Sequence, residues 1–358
     1  MSKKVCIISD SLSFGGAEKV AANMSISLSK KGYEIHIVSM TDFIDYQFEG
    51  ALYNFGLVKK SNNKLLSLLK FKKYFSLNKF DVIIDHRVRN KYLKEIVFSK
   101  FIFKNETIIY CVHNYDLSYY FSFLKFPWAS LFPHVKNRMF VSVCNEIKNK
   151  LENKLFLKST VVYNYTIPNK YSSDKKVYDY DYIIGVGRLT KIKQFDKLIK
   201  NFSKSHLPNS NVKLVILGSG SEKLNLELLI SELSMGKHVE LIPFTKNPNE
   251  LISNAKALVL TSKIEGFPMV LVESLFLNTP VIAFNCKSGP SEIIQNYING
   301  LLVDNQNEQQ LTLALNKLLD NHFYNNLEQN THKDLDRFSE DVVTNKWIDI
   351  LENQHKFF

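Results

Sequence analysis

The chain has 358 residues, 45% hydrophobic and 23% charged, a globular composition long enough for two domains. Its four cysteines are far apart and form no C-x-x-C pair, which argues against a zinc site or a disulfide framework and suits a reducing compartment. The net charge is +11, and residues 1–165 carry the whole excess, with 25 Lys and Arg against 13 Asp and Glu. This asymmetry suggests a polyanionic surface as partner, because a merely solubilising role would not explain it.

The N-terminal residues do not resemble a targeting segment. MSKKVCIISD has two lysines but only a short apolar run before Asp10, so it predicts a buried strand rather than a secretory signal. No stretch approaches the roughly 20 apolar residues needed to span a bilayer. We expect a soluble chain, or one that lies on a membrane.

Strand-like and helical segments then alternate along the chain. GGAEKVAANMSISLSKKG has apolar residues on one helical face: Ala17, Val20, Ala21, Met24 and Leu28. The further strand candidates of the first half are YEIHIVSM, DVIID, TIIYCVH, MFVSVC and TVVYN. The second half repeats the rhythm with YIIGVG, KLVILG, VELIP, ALVLTS and PVIAF. This alternation predicts an α/β fold with two doubly wound, Rossmann-like parallel sheets, each covered on both faces.

A polar, proline-interrupted stretch, YTIPNKYSSDKKVYDYD, is interpreted as the linker between the halves. We therefore expect one domain over residues 1–165 and a second over 166–339. Ligands of open parallel sheets bind beyond the carboxyl ends of the strands. Two such sheets that face each other would form a cleft.

Glycines follow the first predicted strand. In SDSLSFGGAEKV, Gly15 and Gly16 precede the first helix, where backbone can approach a ligand and the helix N-terminus favours an anion. The pattern is not G-x-G-x-x-G, which weakens a dinucleotide interpretation. A tight turn explains the two glycines equally well.

A second glycine loop carries two cations. In GVGRLTKIKQFDKLI, Gly187 closes a strand, and Arg188 and Lys193 follow. A nicotinamide fingerprint would need glycine where Thr190 stands. Two cations beside a strand end suit a diphosphate instead, although a solvated basic loop is an equal alternative. The loop LGSGSE, with Gly218, is a weaker sign of backbone close to a ligand.

The segment KIEGFPMVLVESL holds two carboxylates, Glu265 in a turn and Glu273 inside an apolar helix expected to begin at Phe267. The N-terminus of that helix favours phosphate. Carboxylates spaced this way suit a nucleotide sugar, with a sugar at one end and a ribose at the other. A buried carboxylate without such a partner is costly, although a structural salt bridge would serve as well.

These motifs together resemble the retaining GT-B glycosyltransferases of family four, of the bacterial surface-polysaccharide type. The most specific is the Glu265-x7-Glu273 pair, with GRLTKIK upstream and GPSEII and NGLLV downstream. The resemblance implies the GT-B fold. It also implies that the final helix, within residues 340–358, packs back onto the first domain, which would bind the acceptor, while the second domain binds the nucleotide sugar.

The same resemblance implies roles for particular residues. Arg188 and Lys193 would bind the donor diphosphate. Glu265 would hold the transferred sugar, and Glu273 would hold the ribose. His113, in CVHNY, matches a family histidine close to the donor sugar, although a satisfied core histidine is a fair rival. These four form the expected catalytic set. The full expected donor-binding set is Gly16, Gly187, Arg188, Lys193, Gly218, Phe244, Glu265, Gly266, Phe267, Pro268, Met269, Val270 and Glu273.

We expect neither a metal nor another cofactor. DYD (Asp179–Asp181) and DLD (Asp334–Asp336) match the D-x-D pattern of metal-dependent transferases, but the first precedes a strand and the second is assigned to a late polar helix. Both are interpreted as solvated charges. Arg188, Lys193 and a helix N-terminus would stabilise the leaving nucleoside diphosphate. The resemblance implies front-face displacement with retention, the leaving phosphate helping to deprotonate the acceptor hydroxyl.

Two segments of the basic half suggest where the protein works. Residues 59–80 combine leucines with lysines, and residues 118–138 are rich in aromatics around Trp128. Together they are typical of a membrane-interfacial surface, although ordinary helices with solvated lysines remain an alternative. We expect no nucleic-acid partner. We expect a cytoplasmic protein, peripheral at the inner face of the cytoplasmic membrane, that uses a lipid-linked or lipopolysaccharide-type acceptor.

Two rival functions remain open at this stage. A sugar-nucleotide 2-epimerase could use the same double sheet, and it would alter the sugar without needing an acceptor. An inactive, basic membrane-binding homologue would bind no nucleotide. A hexose or N-acetylhexosamine transfer from a UDP-linked donor is the expected function.

Overall fold

The computed structural model describes residues 2–13, 15–103, 106–134, 137–167, 177–245 and 248–353. The chain forms two compact units. The first comprises Met1–Ile167 and Phe338–Phe358, and the second comprises Pro168–Arg337. Most of the linker proposed from the sequence, residues 168–176, lies outside the described residues.

The first unit is built on a seven-stranded sheet in which every described pairing is parallel, in the order β3-β2-β1-β4-β5-β6-β7. The central strands form because their residues are almost continuously apolar and are buried on both faces. The strands are β1 (Lys4–Ser9), β2 (Glu34–Ser39), β3 (Ala51–Asn54), β4 (Val82–Asp85), β5 (Thr107–Val112), β6 (Arg138–Ser142) and β7 (Thr160–Val161).

Helices connect these strands. They are α1 (Gly16–Lys30), α2 (Phe55–Ser61), α3 (Lys64–Asn78), α4 (Tyr92–Val97), α5 (Pro127–Leu131) and α6 (Asn145–Leu155). A π-helical turn (Phe98–Ile102) continues α4, and a 3₁₀ turn (Leu117–Tyr119) precedes α5. Residues 59–80, which the sequence suggested as one basic segment, therefore comprise two helices. The Asn63 side chain accepts a hydrogen bond from the Leu66 amide and begins the second of them.

The last helix of the chain belongs to the first unit. This helix, α14 (Glu340–Glu352), begins at Ser339, whose side chain caps it. Its buried face joins the core formed by β1, β2, β4 and α1 through Val343, Trp347, Ile350 and Leu351. Polar contacts fix both ends: Ser27 donates to Glu340 at 2.8 Å, and Lys3 bonds Glu352 at 2.8 Å.

The second unit has a six-stranded parallel sheet in the order β10-β9-β8-β11-β12-β13. Its strands are β8 (Tyr182–Val186), β9 (Lys213–Leu217), β10 (Val239–Ile242), β11 (Ala257–Leu260), β12 (Val281–Phe284) and β13 (Gly300–Val303). Its helices are α7 (Phe195–Lys204), α8 (Lys223–Glu232), α9 (Asn249–Ser253), α10 (Met269–Phe276), α11 (Pro290–Ile293), α12 (Glu308–Lys317) and α13 (Asn321–Gln329).

Two features differ from the sequence-based expectation. The helix expected at Phe267 begins at Met269, because Pro268 occupies the capping position. The DLD pair is not in a helix: Asp334 lies in a turn and Asp336 begins a short 3₁₀ helix. Among the described residues, no helix has the length and apolar character needed to cross a membrane.

Candidate functional site

The loops after several strands of the second unit gather at one edge of its sheet. Because all six strands are parallel, their carboxyl ends share that edge. Gly187 follows β8, Gly218 follows β9, and Glu265 lies in the loop after β11. Most of the expected donor-binding residues are therefore assembled on the second unit.

Lys193 and Glu265 form an ion pair at this edge. The Lys193 Nζ lies 2.6 Å from the Glu265 Oε1, and the side chains are 21% and 13% exposed. A charge-assisted hydrogen bond of this length is among the strong ones. The structure thus brings together Glu265, expected at the sugar of a donor, and Lys193, expected at its diphosphate.

Backbone contacts fix the position of Lys193. The buried Thr261, directly after β11, donates through its Oγ1 to the carbonyls of Lys193 and Gln194, both at 3.1 Å. The Lys263 amide also donates to the Ile192 carbonyl at 2.8 Å. The loop after β8 is therefore attached to the loop after β11.

Glu265 is fixed from the other side by the loop after β12. Its amide donates to the Lys287 carbonyl at 2.6 Å, and its carbonyl accepts from the Ser288 amide at 3.1 Å. The buried Ser288 hydroxyl donates to the Gly266 carbonyl at 2.7 Å. The carboxylate thus extends from a loop held on both sides, which preorganises it for a ligand.

The glycine loop after β9 packs closely on the loop after β8. A Cβ at Gly218 would lie 1.9 Å from the Gly187 carbonyl oxygen, so no larger residue fits there. The next residue, Ser219, accepts a hydrogen bond from the Phe244 amide at 3.2 Å. Phe244, also expected at the donor, is exposed beside this loop. Close packing of backbone, rather than a ligand, is enough to explain Gly218.

Arg188 is exposed at the same edge, one residue after Gly187. Its carbonyl accepts from the Thr190 amide at 2.8 Å, which turns the loop after β8. Its position leaves the planar guanidinium accessible to an anion, where it can bind in bidentate fashion.

Helix α10 begins at this edge. Gly266, Phe267 and Pro268 are buried at its start, whereas Met269 and Val270 are partly exposed in the first turn. The N–H groups of a first turn have no acceptor within the helix, and the helix dipole favours negative charge there.

Glu273 is partly exposed, although the residues around it on α10 are buried. The expectation of a buried carboxylate is therefore wrong. Because solvent reaches the side chain, no large desolvation cost needs a ligand to offset it. The case for Glu273 as a ribose contact rests on its spacing from Glu265.

Gly16 is the first residue of α1 in the first unit. A Cβ built there meets no described atom within 4 Å, so packing does not explain this glycine. The neighbouring Gly15 differs, because a Cβ there would collide with the Glu18 carboxylate. Gly16 therefore leaves open space at a helix N-terminus.

His113 follows β5 and contacts a second histidine that the sequence did not single out. The Nε2 of His113 lies 2.8 Å from the Nδ1 of His86, which follows β4. Burial lowers the pKa of His86 to about 4. Burial, followed by the neighbouring His86 and Arg89, lowers the pKa of His113 well below its usual value. Both rings are therefore neutral at neutral pH.

The backbone of His113 is also held in place. Its amide donates to the Tyr120 hydroxyl at 2.9 Å. The buried Arg89 donates to the Cys111 carbonyl at 3.0 Å and lies over the rings of Tyr110 and Tyr120. A polar residue directly after the DVIID strand was the only available signal for His86, and nothing in the sequence pointed to Tyr120.

One group among the described residues has side chains that could ligate a metal. Possible ligand atoms of His86, Cys111 and His113 lie within 4.8 Å of one another. However, the two imidazole nitrogens are 2.8 Å apart. Two nitrogen ligands of a tetrahedral zinc ion lie roughly 3.3 Å apart, given bonds of about 2.0–2.1 Å. The observed spacing is that of a hydrogen bond, and an ion would have to separate the rings.

The two D-x-D pairs do not form such a group. Asp179 and Asp181 are exposed, and Asp181 pairs with Lys256 at 3.5 Å. Asp334 pairs with Arg337 at 3.2 Å. One carboxylate of each pair therefore has a cationic partner at the surface.

Two doubly wound parallel α/β units in one chain form the GT-B architecture, and a solved GT-B structure has the same fold. Anabaena HepE in complex with UDP-glucose matches with a TM-score of 0.77 at 15% identity, over 98% of this chain and 99% of that one. The fold class expected from the sequence is confirmed.

Sequence comparison then identifies the family. The model of "Glycosyl transferases group 1" matches residues 169–334. The amylovoran biosynthesis glycosyltransferase AmsD of Erwinia amylovora is 26% identical over 97% of this chain and 99% of its own. A Campylobacter jejuni N-acetylgalactosamine-N,N'-diacetylbacillosaminyl-diphospho-undecaprenol 4-alpha-N-acetylgalactosaminyltransferase is 30% identical over 89% of this chain and 90% of its own. The chain belongs to the group 1 glycosyl transferases and is a glycosyltransferase, which confirms the resemblance drawn from its motifs.

Proposed function

We propose that this enzyme transfers a hexose or N-acetylhexosamine from a UDP-linked donor to a glycan acceptor, with retention of anomeric configuration and without a metal. The observation that carries the proposal is the Lys193–Glu265 ion pair, held at 2.6 Å on the carboxyl edge of the second sheet. Arg188 and the start of α10 lie on loops at that edge. A carboxylate among positive groups suits a ligand with both hydroxyls and a diphosphate.

The reaction follows from those charges. The acceptor hydroxyl oxygen bonds the anomeric carbon as the bond from that carbon to the diphosphate oxygen breaks. The hydroxyl proton passes to the leaving diphosphate. Lys193 and Arg188 stabilise its negative charge, assisted by the first-turn amides of α10. Glu265 accepts hydrogen bonds from hydroxyls of the transferred sugar, and Glu273 from the ribose.

The remaining expected donor contacts have supporting positions in this proposal. Gly187 and Gly218 bring backbone to the same edge, with Phe244 exposed beside them. Gly16 has open space at the start of α1, where a diphosphate or acceptor group would fit. His113 contributes a neutral imidazole close to the donor sugar.

The acceptor is proposed from the relatives. The Erwinia protein is named for amylovoran biosynthesis, and the Campylobacter protein for a diphospho-undecaprenol-linked substrate. The HepE structure holds UDP-glucose, which supports a UDP-linked donor. We assign the acceptor to a lipid-linked glycan of surface-polysaccharide synthesis.

A lipid-linked acceptor requires the enzyme to reach a membrane, and α3 has a suitable face. At 100° per residue, Leu65, Leu66, Leu69 and Leu77 fall within an arc of roughly 140° that also contains Lys70 and Lys73. All six of these side chains are exposed. The opposite face, with Phe71 and Phe75, is buried. Leucines among lysines on an exposed face suit an anionic lipid surface.

The segment around α5 adds exposed aromatic side chains to the same unit. Trp128 is 77% exposed. Three more aromatic residues near it are exposed, namely Phe123, Phe126 and Phe132. Aromatic side chains with one wet face are favoured at the bilayer interface. We therefore assign the first unit to peripheral contact with the inner face of the cytoplasmic membrane.

The proposal is tested by incubating the purified protein with UDP-, GDP- and dTDP-sugars and measuring thermal unfolding, because a ligand that binds the folded state raises its stability. A UDP-sugar should raise the midpoint in the wild type but not in Lys193→Ala. Product analysis with a lipid-linked acceptor should then yield a new α-linked glycan. An altered nucleotide sugar without acceptor would indicate an epimerase, and no protection by any nucleotide would contradict the donor site.

A further inference from the structure

Three side chains at the ends of two neighbouring strands of the first unit form a row: Cys111, His86 and His113. Strands β4 and β5 pair in parallel, with Asp85 opposite Tyr110. The residues that follow, His86 and Cys111, are therefore side by side, and His113 is two residues further on. The His86 Nδ1 lies 2.8 Å from the His113 Nε2, and the His86 Nε2 lies 4.0 Å from the Cys111 Sγ.

The protonation states of these three side chains limit which hydrogen bonds they can form. The pKa of both imidazoles is lowered by burial, so each ring carries one proton and has one donor and one acceptor nitrogen at neutral pH. Burial also raises the pKa of the Cys111 thiol, which stays protonated. Only one of the two facing nitrogens can carry the proton between the rings. The identity of that nitrogen fixes the tautomer of His113.

The Nδ1 of His113 is the end of the row. It is buried and has no hydrogen-bond partner among the described residues. A buried polar atom without a hydrogen-bond partner is unusual, so a partner is expected there, whether a water, an ion or a substrate group. Its role as donor or acceptor depends on what the other ring nitrogen does.

We propose that His86 is a positioning residue that sets the tautomer of His113. The Cys111 thiol donates to the Nε2 of His86, whose Nδ1–H donates to the Nε2 of His113, so that the Nδ1–H of His113 is a hydrogen-bond donor. This donor serves a sugar oxygen of the substrate. The last step rests on the function proposed above, whereas the order of protons does not.

The thiol decides the direction of the row. A protonated thiol has a proton to give, and the sulfur of a neutral cysteine is only a weak acceptor. A neutral histidine whose Nε2 accepts a hydrogen bond from the thiol must carry its own proton on Nδ1. The tautomer of a histidine is commonly set in this way by the partner of its other nitrogen.

The direct test is nuclear magnetic resonance of full-length protein labelled with ¹⁵N-histidine, because long-range proton–nitrogen correlations distinguish the two tautomers. His113→Gln assigns the His113 signals. We expect His113 protonated at Nδ1 in the wild type. A wild-type spectrum with the proton on Nε2 overturns the proposal without any further variant.

Two variants of His86 separate positioning from packing. His86→Asn keeps an amide donor near the position of Nδ1, whereas His86→Leu fills similar space without one. We expect the asparagine variant to keep the His113 tautomer and most of kcat. The leucine variant should give mixed tautomers and lose roughly tenfold in kcat, with a smaller change in KM for the donor. Equal tautomers and equal kcat in both variants would overturn the role of His86.

The test also separates this proposal from the proposed function. If His113→Gln keeps full transfer, the contact between His113 and the substrate fails. The tautomer measured in the wild type and in His86→Leu still decides whether His86 sets the protonation of His113.

Discussion

Lys193 and Glu265 are 72 residues apart in sequence, yet their side chains meet at 2.6 Å across two loops of the second unit. In the proposed function both must change partners when a donor binds. The lysine turns to the diphosphate, and the carboxylate turns to hydroxyls. The pair keeps each charge compensated before the ligand arrives, which avoids an unpaired, half-buried charge.

This exchange predicts opposite effects of two substitutions on UDP binding. Lys193→Ala should weaken UDP binding by roughly tenfold or more, because a charge-assisted contact is lost. Glu265→Gln should bind UDP at least as tightly as the wild type, since the competing carboxylate is gone, while transfer falls. Isothermal titration calorimetry with UDP measures both. Weaker UDP binding by Glu265→Gln would show that the carboxylate holds the nucleotide.

Arg188→Ala and Glu273→Ala should each reduce transfer by roughly tenfold to a hundredfold while the protein stays folded. In the proposed function each variant loses a contact with the donor worth about 1.5–3 kcal/mol, and neither side chain is buried. Initial rates at saturating acceptor measure the loss, and thermal unfolding checks the fold. Arg188→Lys should recover only part of the rate because it lacks the bidentate fork. The exposed Glu232→Ala on α8 is the control. Near-normal turnover in both alanine variants would mean that the donor lies elsewhere.

Transfer should survive removal of metal ions. In the proposed function, Lys193, Arg188 and the start of α10 supply the positive charge that the leaving group needs. Rates before and after dialysis against EDTA provide the measurement. If activity disappears and manganese restores it, a D-x-D pair or the group of His86, Cys111 and His113 holds an ion.

The first unit should lose stability as the pH falls from about 6.5 toward 4. Burial, then the nearby Arg89 charge, lowers the pKa of His134 to about 3, and burial lowers that of His86 to about 4. Between those values and 6.5 the unfolded chain binds more protons, so the free energy of unfolding rises with pH. The contribution of each histidine to the free energy of unfolding is complete above about pH 6.5. It is about 2 kcal/mol smaller at pH 5.

His134→Phe isolates one of these contributions, because His134 lies among the rings of Tyr110, Phe121 and Phe140. As the pH is lowered from 7 to 5, the free energy of unfolding of the variant should rise by about 2 kcal/mol relative to that of the wild type. Urea unfolding followed by the fluorescence of the buried Trp347 reports on this unit. His322→Phe, at an exposed position of α13, is the matched control. Parallel pH profiles for the wild type and His134→Phe would contradict the prediction.

Binding to liposomes should require anionic lipid and decrease as salt rises. Replacing Lys70 and Lys73 by glutamate should weaken it roughly thirtyfold, given roughly 1 kcal/mol for each charge near the surface. Lys72 is left in place because its ammonium lies 3.7 Å from the centroid of the Phe101 ring. Glutamate at Lys200 and Lys333, exposed on the second unit, makes the same change in charge and should have little effect.

Tryptophan fluorescence provides the measurement. Trp128 is exposed and Trp347 is buried, and they are the two tryptophans of the chain. Emission should shift to shorter wavelength on anionic vesicles, and Trp128→Phe should abolish the shift. Equal shifts on neutral and anionic vesicles, or none on either, would contradict the membrane surface and favour a soluble acceptor.

The central strands were predictable because their apolar runs are almost continuous, as in KVCIIS and KLVIL. Strand β3 was not predictable, because an edge strand is exposed on one side and its ALYN sequence has little apolar pattern. The start of α10 shifted by two residues because Phe267 precedes a proline, and helical backbone is disfavoured at the residue before a proline.

The candidate site shows the same limit. Glu265 and Lys193 could be chosen from loops that follow predicted strands. Their mutual contact could not, since it depends on Thr261 and Ser288, which hold the loops through buried hydroxyls. His86 could not be paired with His113 either, because that contact depends on which residues of β4 and β5 lie opposite each other.

The position of α14 has a consequence for synthesis on the ribosome. The core of the first unit is incomplete until Val343, Trp347, Ile350 and Leu351 have emerged, after the whole of the second unit. The second unit is one continuous segment and leaves the ribosome earlier. The N-terminal domain usually folds first, but here the first unit completes its folding after the second. The nascent first unit exposes an apolar groove while the second is already folded, and a chaperone that covers β1 and α1 during this interval would protect the chain from aggregation.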